Sequence, residues 1–150
     1  MATFKESLTT LPPNKRYLAT HNAEGKSIYA EAPAQLYHPM GMAHSYSIPS
    51  VPVKMGDDVD YKAYMSEGNV NSQKSSHIVV PETKETPNGA NCLVIDLPPG
   101  AVSAMHRTVS IDFSICVIGT IIHELDGGET VTLKPGVSVP DREGCMKNIR

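Results

Sequence analysis

The chain contains no tryptophan and only two phenylalanines in 150 residues. That scarcity argues against the aromatic platforms on which proteins stack single-stranded nucleic acid. An excess of either charge is also missing. Thirteen Lys and Arg stand against sixteen Asp and Glu, a net charge of −3 with histidines neutral. The chain therefore has neither the basic footprint of a nucleic-acid binder nor a polybasic membrane patch. No run of 18 apolar residues occurs, so no transmembrane helix is expected. The first ten residues lack an apolar h-region, so no secretory signal is expected. Cysteine is scarce too. The three, Cys92, Cys116 and Cys145, show neither C-x-x-C nor zinc-finger spacing and cannot all pair within one chain. Free thiols in a reducing compartment follow, and the expected location is cytoplasmic. Cys116 sits in an apolar strand and reads as a small packing residue.

Twelve prolines and eleven glycines divide the chain into short segments. After a mobile arm over residues 1–12, residues 16–21 and 27–30 read as a hairpin around Asn22–Lys26. Residues 43–48 alternate as an edge strand does. Residues 57–65 suit one or two helical turns, with aspartates favouring the start. A short strand is expected at 77–80. From Asn91 the texture becomes apolar and β-prone. Strands are expected at 92–97, 113–118, 121–125 and 129–133, with Asp126-Gly127-Gly128 as a hairpin signal. Closely spaced short strands with Gly/Pro turns indicate an all-β sandwich or barrel, and the length suits one domain.

The segment from Gly100 to Gly119 carries a spaced pattern: Gly100, five residues, His106, Thr108, Asp112 after three more, and Gly119 after six. It resembles the first motif of the cupin family, G-x5-H-x-H-x3,4-E-x6-G. Around it stand Pro98-Pro99-Gly100, Met105-His106-Arg107-Thr108, Glu124-Leu125-Asp126-Gly127-Gly128-Glu129 and Leu133-Lys134-Pro135-Gly136. These resemble the small single-domain cupins of fungal secondary metabolism, and the resemblance covers residues 91–150 by motif. It implies an all-β, cupin-type barrel or jelly roll. Residues 1–90 would give an N-terminal hairpin arm and first strands, and the C-terminal end would be incomplete. It also implies small-molecule tailoring as the function class. The family's second motif is altered here, with Arg142 at its proline position and Lys147 at its histidine position. A chain stopping at Arg150 would leave a sheet edge open. N-terminal strands, a second subunit, or an origin of the last residues in splicing or truncation would each account for that end.

In the family the motif's histidines and acid bind metal. Here His106 and Asp112 keep two of the ligand positions, Thr108 and Lys147 the others, and Lys147 is a poor ligand for a divalent ion. The expectation is therefore a degenerate metal site with no cofactor, a divalent Fe, Zn, Mn or Ni ion on His106 and Asp112 being the alternative. His38, His44, His77 and His123 are read as surface or packing residues, any of which would be needed to complete a metal site. Without metal, His106 facing the interior is the acid/base candidate, Asp112 its partner, and Tyr46 or His44 a second proton donor. A core histidine with no chemistry is the competing reading of His106. Two functions stay open. One is a lyase- or isomerase-type enzyme (isomerase, dehydratase, decarboxylase or cyclase) on a small organic, polyketide-like substrate. The other is a non-catalytic barrel that binds a small molecule or a partner subunit. Neither a nucleic-acid nor a membrane partner is expected. An open sheet edge favours a homodimer, and light scattering of the purified chain at micromolar concentration is expected to return twice the chain mass. A stable monomer would count against it.

Overall fold

Turn chemistry sets the first strand pair. Asn22 Oδ1 accepts the backbone N–H groups of Glu24 at 3.1 Å and Lys26 at 2.9 Å, and Gly25 takes a φ of 74°. The chain reverses there and pairs β1 (Leu18–His21) with β2 (Ser27–Ala30), antiparallel, as the turn residues predict. The computed structural model describes residues 7–32, 35–38, 41–48, 50–66, 89–108, 110–142 and 146–149. The strand expected at 77–80, with His77, lies outside them. The chain divides into two compact units, Met1–Leu97 and Pro98–Arg150.

In the first unit, β3 (Tyr37–His38), β4 (Met42–Ile48) and β5 (Ala90–Ile95) form an antiparallel sheet in the order β3-β4-β5. The segment predicted as an edge strand is thus the middle one, because Tyr37–His38 pairs along its second side. Burial agrees: Ala43, His44 and Ser47 are all enclosed, so both faces of β4 are covered. The register on β5 slips between His44, opposite Leu93, and Tyr46, opposite Cys92. Two residues of β4 therefore answer one of β5, a β-bulge at Ser45. Carbonyls freed from the ladder need other donors. Arg16 Nη1 donates to His44 O and Ser45 O, each at 3.1 Å, and Tyr64 Oη donates to His44 O at 2.9 Å. Tyr64 is the buried residue of α1 (Val59–Met65), which follows a 3-10 turn at Gly56–Asp58. Its ring lies 4.7 Å from that of Tyr46, and the Arg16 guanidinium sits 5.0 Å from its centre.

The second unit holds β6 (His106–Arg107), β7 (Asp112–Ile115), β8 (Ile121–Leu125), β9 (Thr130–Leu133), β10 (Ser138–Asp141) and β11 (Met146–Ile149). Four of them make a sheet in the order β6-β11-β8-β9, while β7 and β10 pair separately. Gly128, with a φ of 89°, closes the β8–β9 hairpin at the predicted Asp-Gly-Gly. Leu133 and Cys116 are buried, and the cysteine has the packing role its apolar surroundings predict. Among the described residues the fold is all-β with one short α-helix, consistent with the cupin-type fold, and no sheet closes on itself there.

Gly41 illustrates how tightly the first unit is drawn together. Its φ is 70°, its carbonyl accepts the N–H of Asp96 at 2.9 Å, and a Cβ there would overlap the Asp96 carbonyl oxygen. Asp96 is held in turn by the Ser7 hydroxyl at 2.5 Å. Gly41→Ala adds backbone strain and a steric clash and is expected to cost about 2 kcal/mol or more, read from urea unfolding. Unchanged stability would show that β4 does not need this close approach.

Candidate active site

The residues singled out by the motif fall on both sheets of the second unit. His106 lies on β6, an edge of the four-stranded sheet, and is exposed. Its Nδ1 sits 2.8 Å from the Ala104 carbonyl oxygen, which fixes the proton on that nitrogen. The ring is not enclosed as the spacing predicts. Its register partner Lys147 is opposite Leu125, so His106 shares a sheet face with Leu125 and His123 but stands two strands away, roughly 10 Å. Asp112 opens β7, half-buried, where its carboxylate accepts the Ser110 hydroxyl at 2.7 Å.

Asp112 has a cross-strand partner of consequence. It stands opposite Asp141 on β10. Asp141 is buried, accepts the Ser114 hydroxyl at 3.1 Å on Oδ2, and lies 3.1 Å by Oδ1 from Nε2 of buried His123. Because His123 is on β8 and Asp141 on β10, this contact joins the two sheets of the unit. Nε2 is buried and makes no directed hydrogen bond, so the carboxylate acts on the ring through its charge at this distance. Both residues line a cavity of about 270 Å³, whose wall includes Leu125, Val131, Val139 and the cation Arg142. A histidine in contact with a carboxylate on the wall of a mainly apolar cavity can take and return a proton.

Neither His123 nor Asp141 stood out in the sequence as a site. A signal for the first was present: Ile121, His123 and Leu125 share one strand face, so an apolar face carries the imidazole inward. Asp141, after Pro140, gave no such cue.

Tyr46 and His44, the expected accessory donors, lie in the first unit. Their two-residue spacing predicts one common face. The bulge at Ser45 overturns that, setting His44 with Leu93 and Tyr46 with Cys92 on opposite faces. Tyr46 Oη donates to Asp60 at 2.8 Å beside a cavity of about 300 Å³ that Thr20, His21 and Asp58 also line. Burial, then the bond to Asp60, pushes the Tyr46 hydroxyl well above its usual range, so it holds its proton. His44 is 1% exposed, and burial followed by the neighbouring His38 lowers it from 6.5 to about 4.

The donor set at the motif does not fit the family's divalent centre. It offers one exposed imidazole, a shortened acid and Thr108, short of the three or four donors such a centre uses. Among the described residues no three His, Cys, Asp or Glu side chains converge.

No family model matches the chain. It is 33% identical over 127 residues to the cupin-domain-containing oxidoreductase virC of Hypocrea virens, covering 81% of this chain and 59% of that protein. It is 32% identical over 138 residues to the phomopsin biosynthesis cluster protein C' of Diaporthe leptostromiformis, covering 88% and 67%. The chain belongs to the cupin family. A third relative, the cupin-domain-containing oxidoreductase fogC of Aspergillus ruber, is 26% identical over 127 residues, covering 81% of this chain and 56% of that one. This cupin thus spans about three fifths of the length of virC and fogC. Among its described residues no helix is long and apolar enough to cross a membrane.

The His44 shift has a definite sign. The unfolded imidazole takes its proton near 6.5 and the folded one only near 4. The stability of the folded chain is therefore undiminished above pH 6.5 and falls as the pH drops from 6.5 to 4, by up to about 3 kcal/mol from this group. Urea unfolding of His44→Gln across that window is expected to lose this part of the slope. An identical slope would remove the assignment.

Proposed function

We propose that this cupin is a small-molecule tailoring enzyme that relocates a proton within a carbonyl-bearing organic substrate. The carrying observation is the His123–Asp141 pair on the wall of a cavity of about 270 Å³. The His123 imidazole takes a proton from the carbon next to the carbonyl and returns it elsewhere on the substrate. Asp141 holds the ring and stabilises the imidazolium that forms, with Ser114 fixing the carboxylate. Arg142 is the group suited to the negative charge that develops on the substrate oxygen. Isomerisation is the simplest outcome; dehydration, decarboxylation and cyclisation start from the same carbanion-like species. Two relatives are named oxidoreductases and one a phomopsin biosynthesis cluster protein, which supports a place in natural-product tailoring. Thr108 at a family ligand position favours a second reading, a non-catalytic binder of small molecules.

Proton exchange tests this before any substrate is known. A panel of carbonyl compounds incubated with the protein in D2O, followed by NMR, is expected to show deuterium entering the α-position. His123→Gln should slow exchange about a hundredfold or more and Asp141→Asn about tenfold or more, while His106→Ala costs less than tenfold. The reverse order returns the base to His106, as the motif alone predicts. Saturable binding without exchange favours the binder.

A further inference from the structure

His38 and His44 form a second imidazole pair, in the first unit and outside the chemistry just described. Each is 1% exposed, and the ring centres lie 5.2 Å apart, tilted by 54°. All four ring nitrogens are buried without a hydrogen-bond partner. A neutral imidazole carries one N–H and one lone-pair nitrogen, so the two adjacent enclosed rings present two lone pairs that no donor answers, a pair suited to a ligand that takes lone pairs.

The register supplies a third donor. His38 stands opposite Met42, and His44 follows Met42 by two residues. Cross-strand partners and alternate residues share a face, so His38, Met42 and His44 all lie on one side of the β3–β4 ladder. Leu93, opposite His44, and Ile95, opposite Met42, extend that face with apolar side chains. Gly41, pinned against Asp96, holds the backbone immediately before Met42.

We propose that His38, His44 and Met42 form a site for a soft monovalent transition ion, copper(I). An ion about 2.0 Å from one nitrogen of each ring stands about 3.1 Å from each ring centre. Ring centres 5.2 Å apart then subtend about 110° at the ion, a bent arrangement that leaves room for a third ligand. Thioether sulfur selects copper(I) over hard divalent ions, and imidazole accepts it. Charge points the same way: the three donors are neutral, and enclosing one positive charge costs less than enclosing two. With the rings enclosed, the ion enters as the unit folds or opens locally, so binding and folding are coupled.

The test uses the full chain with 13C-methyl methionine and 15N histidine labels, titrated anaerobically with tetrakis(acetonitrile)copper(I). Seven methionine methyl signals are available. The methyl missing in Met42→Leu is expected to shift and saturate at one equivalent, together with the ring nitrogens missing in His38→Gln and His44→Gln. Competition with bicinchoninate should show about a tenfold weaker hold in Met42→Leu and a larger loss in either histidine variant. Sequential assignment of the wild-type spectrum identifies the same signals if a variant does not fold. Copper(I) uptake that leaves these three residues unmoved, as binding at the cysteines would, overturns the proposal. So does an absence of uptake.

Discussion

The second unit depends on one contact, the His123 Nε2 to Asp141 Oδ1 approach at 3.1 Å. Two sheets meet there, and no backbone ladder joins β8 to β10. Among the described residues of this unit the buried apolar side chains are Leu133 and Cys116. A carboxylate in such a place needs every hydrogen bond it can collect, which explains the Ser114 hydroxyl on its second oxygen. Removing either partner of a buried pair typically costs about 3–5 kcal/mol, because the other is left uncompensated. The proposed chemistry therefore draws on the same two side chains that join the sheets.

In the first unit polar groups also do the organising. Arg16 and Tyr64 take up the carbonyls released by the bulge, and α1 is fastened to β4 through the same tyrosine. A helix of seven residues is too short to be stable alone, and docking through Tyr64 is what gives it a reason to form.

Much of this architecture was legible from local chemistry. The hairpins at Asn22–Lys26 and Asp126–Gly128 rest on turn residues whose side chains or φ values act within a few positions, so the sequence displays them. The packing role of Cys116 follows from its apolar neighbours. The middle position of β4 was hidden, because it depends on a two-residue partner, Tyr37–His38, with no pattern of its own. At the site, Asp112 was visible through motif spacing, but its neighbour across the ladder was not, since strand pairing at a distance leaves no periodic trace. His123 was visible in parity and undervalued. The bulge at Ser45 was invisible, and it undid the shared face assumed for His44 and Tyr46.

That bulge divides the labour of a single strand. On one side β4 offers an imidazole enclosed with His38; on the other it offers a phenol bonded to Asp60 beside an open cavity. The two faces are still tied through Tyr64, whose ring lies against Tyr46 and whose hydroxyl bonds the His44 carbonyl. Substitutions at Tyr46 and at His44 therefore share a partner, and their energetic effects should depart from additivity. One extra residue thus lets a single strand present two different polar side chains, with one tyrosine answering to both.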